Sequence, residues 1–391
     1  VVDPDLAFVG NSAGFVFPSI DFQEARADSE LEVTIVMGAP NHVALGLISE
    51  VYVHCKDSYE KMSKEEAAEN PIGSGAYEFV KWDKGNQIVM KKAKGSAVSA
   101  NFENLIWRVI PEASTRTAEL IAGNVDMITN ASPDQVDAID ASNSAKVQKV
   151  SGTRRMYVGF HQGEEYAVTE GGAAIQKAEV RRAIQYAVDV EAICANLLNA
   201  PCERATGLVN PNNAHPTLKP YPYNPEIAEY LLDQAGYPRD GNGVRFEITL
   251  EAGQGRYLND KNVVLAICQY LDDIGIKTTC DIMDWSSVYV PKIRKKEAGP
   301  MFFLGSGGGT WNPLYDMSDL ATVESGPNYT KWTNEEWFKG WKVINNSMDP
   351  YVIRREIDRM LEVFYNEGPW LLLYFQPDFY GVSNRVKWQE R

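Results

Sequence analysis

Residues 244–282 contain the pattern that most constrains the fold, a strand followed by a long helix and a second strand. Val244 to Glu251 alternates apolar and polar residues, as a half-buried strand does. A helical pattern covers roughly 258–274, and Ile276 to Ile282 returns to strand character. Two strands joined through a helix of this length lie parallel in one sheet. The pattern predicts an α/β fold with a mixed sheet.

Other helices are marked by the residues that begin them. Ser63 to Glu66 forms a capping box, S-x-x-E, whose first and last side chains satisfy each other's backbone N–H groups. Four more helices are predicted to begin at Ser114, Ser132-Pro133, Asn224-Pro225 and Asp349-Pro350. One buried helix face is predicted from apolar residues at helical spacing, Val180, Ala183, Ile184, Ala187 and Val188. Helices and strands are thus expected over most of the chain.

Two segments stand apart from this pattern. The apolar run Trp370 to Phe375 has the length of a buried strand and is far shorter than the roughly 18 apolar residues that cross a bilayer. The glycine-rich run Gly305 to Gly309 is the one stretch that resembles a hinge or an open loop.

Charge and length narrow the class of protein. A chain of 391 residues is long enough for two domains. The net charge of −15 argues against a nucleic-acid partner, because binding phosphates requires clustered Lys and Arg. The first residues carry no basic and apolar export signal, so the protein is either cytosolic or has had its signal removed.

The five cysteines have no metal-finger spacing. Two local disulfides, Cys194–Cys202 and Cys268–Cys280, are possible in an oxidising compartment such as the periplasm. Buried reduced thiols are the alternative, and spacing alone leaves both open.

Residues arranged for catalysis are scarce. The four histidines form no H-E-x-x-H pair, and the chain has no G-x-S-x-G nucleophile elbow. Neither Gly73-Ser74-Gly75 nor the glycine-rich run fits the phosphate-binding pattern G-x-x-x-x-G-K-[ST]. The sequence therefore predicts neither an enzyme nor a resident metal or cofactor.

Aromatic residues are abundant, with 9 Trp, 19 Tyr and 14 Phe. Trp337 and Trp341 are four residues apart on a predicted helix, which favours a place in the core. Trp311 and Tyr315 directly follow the glycine-rich run, and rings in such a polar, open setting are typical of a site that holds a small ligand.

Five ordered motifs resemble family 5 solute-binding proteins, the peptide, nickel and oligosaccharide binders of ABC importers. Asn70 to Phe79 (NPIGSGAYEF) is similar to the family signature N-P-[IV]-G-[TS]-G-P-Y-x-[FL]. The other four lie at Trp82 with Gly85 and Ile88 to Lys91, at Arg116 to Asp126, at Val180 to Asp189, and at Tyr223 to Tyr237.

The resemblance implies a type II periplasmic-binding-protein fold, bilobal, with mixed sheets. Residues 1–160 would form the remainder of the first lobe, 161–350 the second lobe with the binding loop, and 351–391 a helix and strand returning to the first lobe. It also implies an exported, periplasmic monomer that closes on its ligand around a hinge and meets a membrane ABC permease complex.

The chain departs from the family pattern in two places. The family signature begins already at Asn70, and the L-R-x-G motif that usually precedes it is not found. We therefore expect part of the N-terminal region to be lacking. The second departure is the binding loop. Peptide binders often carry W-x-A-D-Y-x-D-P, whose first Asp pairs with a peptide α-amino group, whereas here Thr310 to Asp316 reads TWNPLYD.

These observations predict a periplasmic receptor that captures a small peptide-like or polar organic solute for an ABC transporter. Trp311, Asn312 and Tyr315 would form one wall of the site, and Asp316 would accept hydrogen bonds or orient the loop. Arg154, Arg155 and Tyr157, on a predicted strand near the domain crossover, would face an anionic group. The alternative is a nickel or metallophore binder, since the T-W-x-x-x-Y-D spacing resembles that of nickel-chelate binders.

Overall fold

The computed structural model describes residues 16–17, 20–42, 44–53, 55–200, 202–307, 312–323 and 326–388. The chain divides into two compact units, Val1–Ala118 and Glu119–Arg391. The division implied by the family resemblance is different, into 1–160, 161–350 and 351–391, and that assignment to lobes stays a prediction.

The first unit contains two antiparallel sheets. Strands β1 (Phe22–Ser29) and β2 (Glu32–Met37) pair with each other, and β3 (Tyr77–Asp83), β4 (Gln87–Lys92) and β5 (Asn104–Arg108) form a separate three-stranded sheet. The described helices are α1 (Ala44–Ile48), α2 (Lys56–Tyr59), α3 (Lys64–Glu69) and α4 (Ala113–Ile121), the last crossing the boundary between the units. The capping box predicted at Ser63 and Glu66 is confirmed at the start of α3.

The second unit is built on a five-stranded mixed sheet with the order β10-β9-β11-β8-β12. Its strands are β8 (Arg155–Phe160), β9 (Phe246–Gln254), β10 (Ile276–Asp284), β11 (Met301–Ser306) and β12 (Trp370–Phe375). Strand β9 is parallel to β10 and β11, whereas β8 is antiparallel to β11 and β12. The predicted strand–helix–strand unit is therefore confirmed, and the run at Trp370 is a buried strand as expected.

A smaller sheet brings the end of the chain back to its middle. Strand β13 (Asp378–Ser383) lies between β6 (Met127–Thr129) and β7 (Ala145–Val150) and is antiparallel to both. Only Gln376 and its neighbour separate β12 from β13, so the two sheets of this unit are joined by a very short connection.

Helices of the second unit begin close to the predicted residues. They are α5 (Val136–Ala141), α6 (Glu170–Ala174), α7 (Ala178–Ala187), α8 (Val190–Leu197), α9 (Pro225–Gln234), α10 (Asp260–Asp273), α11 (Val290–Arg294), α12 (Pro313–Met317), α13 (Glu335–Asn345) and α14 (Pro350–Glu367). Asn224 and Asp349 cap α9 and α14 with their side chains, as expected. Ser114 and Ser132 do not cap: Ser114 lies inside α4, and Pro133 first forms a 3-10 turn before α5 begins.

The core lies on both faces of β8, an interior strand of the five-stranded sheet. Every residue of β8 is buried, and Trp337 lies in an aromatic cluster with Trp332, Phe364 and Trp370. Trp341, also predicted to be core, is half-buried. Both predicted disulfides are formed, Cys194–Cys202 and Cys268–Cys280, and Cys55 is free and exposed.

Candidate functional site

The candidate site lies at one edge of the five-stranded sheet. Strands β9, β10, β11 and β12 all end at this edge, because the parallel and antiparallel registers bring Gln254, Asp284, Ser306 and Phe375 to the same side. Strand β8 begins here, with Arg155 paired to both Ser306 and Phe375. Ligands of α/β proteins bind outside the carboxyl ends of the strands, so this edge is where a site is expected.

Tyr257 and its neighbours are held at this edge by hydrogen bonds to several segments. Its hydroxyl accepts a hydrogen bond from the backbone N–H of Gly305 at 3.0 Å, which joins the loop after β9 to the end of β11. The carboxylate of Asp260 accepts the backbone N–H groups of Arg256 and Tyr257, both at 2.9 Å. The backbone N–H of Leu258 donates to the side-chain oxygen of Gln376 at 2.9 Å, which adds the end of β12.

Two arginines surround this tyrosine, and together with Trp285 they form what we call the arginine–aromatic cluster (Arg154, Arg256, Tyr257 and Trp285). The guanidinium carbons of Arg154 and Arg256 lie 5.9 and 5.6 Å from the centre of the Tyr257 ring. That of Arg256 is also 6.0 Å from the Trp285 ring. The Tyr257 and Trp285 rings meet edge to face at 5.2 Å. Cation–π contacts of this kind hold a guanidinium in place without using its N–H groups.

Asp378 is an acidic residue that interacts with both arginines of this cluster. It is half-buried, and burial raises the pKa of its carboxyl, while Arg154, the Gln376 side chain and Arg256 act in the opposite direction. The carboxyl thus lies within the electrostatic reach of both arginines.

A second polar group lies beneath the surface at the same edge. The Arg155 guanidinium and the Asp316 carboxylate are 3.7 Å apart, and both side chains are fully buried. Arg155 also donates to the Ser306 hydroxyl at 3.0 Å. Burial raises the pKa of Asp316, and the positive charge of Arg155 opposes that rise. Gly307 passes directly over the pair, since a Cβ there would lie 3.1 Å from Arg155 and 3.2 Å from Asp316.

Asp319 extends this polar group. Burial raises its pKa to about 7, the negative charge of Asp316 acts in the same direction, and Arg155 opposes both. Tyr329 is close enough for the Asp319 charge to raise its pKa as well, after the larger effect of burial. This carboxyl therefore changes its charge near neutral pH.

The predicted site residues lie in different surroundings. Trp311 is outside the described residues. The Asn312 side chain caps α12 by accepting the Leu314 N–H at 3.0 Å, and Tyr315 is half-buried on that helix. Arg154 belongs to the arginine–aromatic cluster. Tyr157 is 1% exposed and stacks on Trp370 with ring centres 3.9 Å apart. Asp316, like Tyr157, is buried. Contact of these residues with a ligand stays a prediction.

Sequence reasoning missed Arg256, Tyr257, Trp285 and Asp378. The available signal was topological: Arg256 and Tyr257 follow the end of β9, and Trp285 follows the end of β10. Because parallel strands end at the same edge, polar and aromatic residues just after them are candidates for a site.

Two properties of the described ranges bear on other kinds of function. Among the described residues, no group of three or more His, Cys, Asp or Glu side chains is arranged to hold a metal ion. No described helix combines the length and the apolar character needed to cross a membrane.

Comparison with known proteins identifies the family. The family model described as bacterial extracellular solute-binding proteins, family 5 Middle, matches residues 2–327. The chain therefore belongs to family 5 of the bacterial extracellular solute-binding proteins, a family of extracellular and periplasmic receptors, and the resemblance seen in its motifs is confirmed.

Two curated relatives illustrate the range of the family. The oligopeptide-binding protein AppA of Bacillus subtilis is 23% identical over 329 residues, which are 81% of this chain and 59% of AppA. The glutathione-binding protein GsiB of Shigella flexneri is 25% identical over 324 residues, which are 80% of this chain and 60% of GsiB. The chain thus spans about three fifths of the length of these relatives.

Solved structures support the fold. DppA of Helicobacter pylori, in complex with the peptide STSA, superposes with a TM-score of 0.80 at 20% identity over 95% of this chain and 72% of DppA. NikZ of Campylobacter jejuni, in complex with Ni(L-His), gives a TM-score of 0.78 at 20% identity over 94% of this chain and 74% of NikZ. The predicted α/β fold of a periplasmic binding protein is confirmed.

Proposed function

We propose that this chain is the solute-capturing part of a periplasmic receptor that binds a small peptide-like or other polar organic solute and delivers it to an ABC transporter. The observation that carries the proposal is the arginine–aromatic cluster, at the edge of the sheet where α/β proteins bind ligands. Rings and guanidinium groups offer large contact area and directional hydrogen bonds, which suits an organic solute with polar ends.

Membership of family 5 supports the same proposal. AppA and GsiB bind an oligopeptide and glutathione, and DppA was solved with a tetrapeptide, all of them peptides or peptide-like compounds. A receptor role requires no chemical step, so we also propose that the chain is not an enzyme. We further propose that it acts as a monomer and has a membrane permease as its partner.

The loop before α12 is proposed as a further wall of the site. Trp311, Asn312 and Tyr315 would contact the solute, as the sequence suggests. Asp316 would act indirectly in our proposal, by holding the position of this loop through its contact with Arg155 at the start of β8.

A nickel chelate is the second candidate solute. NikZ, which superposes well on this chain, was solved with Ni(L-His), and the TWNPLYD spacing favours the same class. Since the described residues hold no group suited to metal ligation, such a metal would arrive already held by an organic chelator.

Isothermal titration calorimetry with a defined panel tests the two candidates. The panel would contain the tetrapeptide Ser-Thr-Ser-Ala, reduced glutathione, an opine, a disaccharide and Ni(L-His)2. We expect saturable binding of at least one peptide-like compound. Binding of the nickel chelate alone would replace the peptide proposal with the chelate proposal, and binding of none would contradict both.

A further inference from the structure

We infer that the arginine–aromatic cluster is an anion site that binds a carboxylate group of the solute, with Arg154 and Arg256 as its two anchors. This inference rests on the proposed function and adds to it the chemical class of the solute, an organic compound with a negatively charged end.

The first support is that both guanidinium groups keep their N–H groups available. No hydrogen bond or ion pair joins either guanidinium to another residue in the described part of the chain, apart from the ring contacts and the charge interaction with Asp378. The buried Arg181, by contrast, donates to the Ile175 and Gln176 carbonyls and to Glu367.

The second support is geometry. A guanidinium packed against ring faces presents its edge outward, and that edge matches a carboxylate through two parallel hydrogen bonds. Arg256 is exposed, and its guanidinium carbon lies within 6.0 Å of the centres of both the Tyr257 and the Trp285 ring. The buried ring of Tyr257 excludes water on one side, which strengthens an ion pair formed there.

The third support is the local charge. Asp260 lies close by, but its carboxylate already accepts three backbone N–H groups, from Arg256, Tyr257 and Lys261. Its oxygens are therefore directed to the backbone and not to the guanidinium groups. Asp378 is the acid whose charge interacts with both arginines, and burial raises the pKa of its carboxyl.

The anchors are also held in place before any solute binds. The Gln376 N–H donates to the Arg154 carbonyl at 2.8 Å, and the Gln376 side chain accepts the Leu258 N–H at 2.9 Å. One glutamine therefore ties the segment of Arg154 to the loop of Arg256. Anchors that are already ordered lose little freedom on binding, which favours affinity.

Paired probes test the inference by calorimetry. Ser-Thr-Ser-Ala and reduced glutathione would each be compared with the same compound carrying carboxamides in place of its carboxylates. Because a hydrogen bond to a charged group contributes about 1.5–3 kcal/mol, the wild type should prefer the carboxylate form by roughly 10- to 100-fold. Arg256→Gln and Arg154→Gln should each remove most of this preference. Arg355→Gln, an exposed arginine on α14, is the matched control and should preserve it.

A second measurement needs no solute. Iodide is an anionic quencher of tryptophan fluorescence and acrylamide is a neutral one. The Trp285 signal is the difference in fluorescence between a protein and the same protein carrying Trp285→Phe. Iodide should quench this signal less strongly in Arg256→Gln than in the wild type, whereas acrylamide quenching should be unchanged. Unchanged iodide quenching in that variant would overturn the anion site.

The two measurements separate failure of this inference from failure of the proposed function. If the wild type binds a probe equally well in its carboxylate and carboxamide forms, the anion site is wrong while solute binding stands. If no probe binds but Arg256→Gln reduces iodide quenching, the anion site is supported and the proposed class of solute is wrong.

Discussion

The guanidinium of Arg155 and the carboxylate of Asp316 lie 3.7 Å apart with both side chains fully buried, one at the start of β8 and the other on α12. This contact ties the helix that follows the glycine-rich run to β8, an interior strand of the sheet. A buried charge is tolerated only beside its partner, because taking an isolated charge out of water costs several kcal/mol.

Removing one member of this pair should destabilise the protein strongly. We expect Arg155→Met or Asp316→Leu to lower the free energy of unfolding by about 3–5 kcal/mol, since each leaves a buried charge without the partner that lies 3.7 Å away. The double variant should recover part of that loss. Urea unfolding followed by tryptophan fluorescence measures the effect, and a double variant as unstable as the sum of the two would contradict the pairing.

The contribution of Asp319 to stability should fall as the pH rises from about 4 to about 7. The pKa of Asp319 is raised from 3.8 to about 7 in the folded protein, so the folded state binds more protons than the unfolded state in that range. One such group contributes a slope of at most about 1.4 kcal/mol per pH unit. Asp319→Asn should remove this contribution. The check is the difference in melting temperature between variant and wild type across pH 4–8, and a difference that stays constant would count against the raised pKa.

The disulfide between α10 and β10 should make a measurable contribution to stability. Cys268 and Cys280 lie 12 residues apart in sequence. A disulfide that closes a loop of that length contributes about 2–4 kcal/mol to the free energy of unfolding. We expect Cys268→Ala with Cys280→Ala to lower the free energy of unfolding by that amount. Cys55→Ala is the control, since Cys55 is exposed and forms no disulfide. The stability of this variant should match that of the wild type.

Substitution of Gly253 should weaken solute binding by moving Trp285. A Cβ at Gly253 would lie 2.7 Å from the Trp285 ring and 2.8 Å from the Tyr289 ring, so Gly253→Ala has to displace one of them. We expect the affinity for any panel compound that binds to fall by roughly 10-fold or more, because the solute would lose its contact with the Trp285 ring and with Arg256, which packs against that ring. Gly241→Ala is matched, because a Cβ there meets no atom within 4 Å. Equal affinities for the two variants would remove Trp285 from the site.

Local sequence patterns predicted much of the fold and little of the candidate site. The strand–helix–strand unit, the cap at Asn224 and the capping box at Ser63 were predictable because each depends on residues close together in sequence. The helix predicted to begin at Ser132-Pro133 does begin there, as a 3-10 turn that leads into α5, although the Ser132 side chain makes no capping hydrogen bond.

The sequence by itself determined the class of fold and the family, because helix periodicity, caps and five ordered motifs are properties of short segments. The order of the strands determined the candidate site. Sequence identifies Tyr157 as a strand residue, but only the place of β8 inside the sheet buries it on both faces. Likewise, Arg154, Tyr257 and Trp285 come from three distant segments and meet because β8, β9 and β10 present their ends at one edge. Such contacts depend on which strands become neighbours, and that is decided by packing over the whole unit.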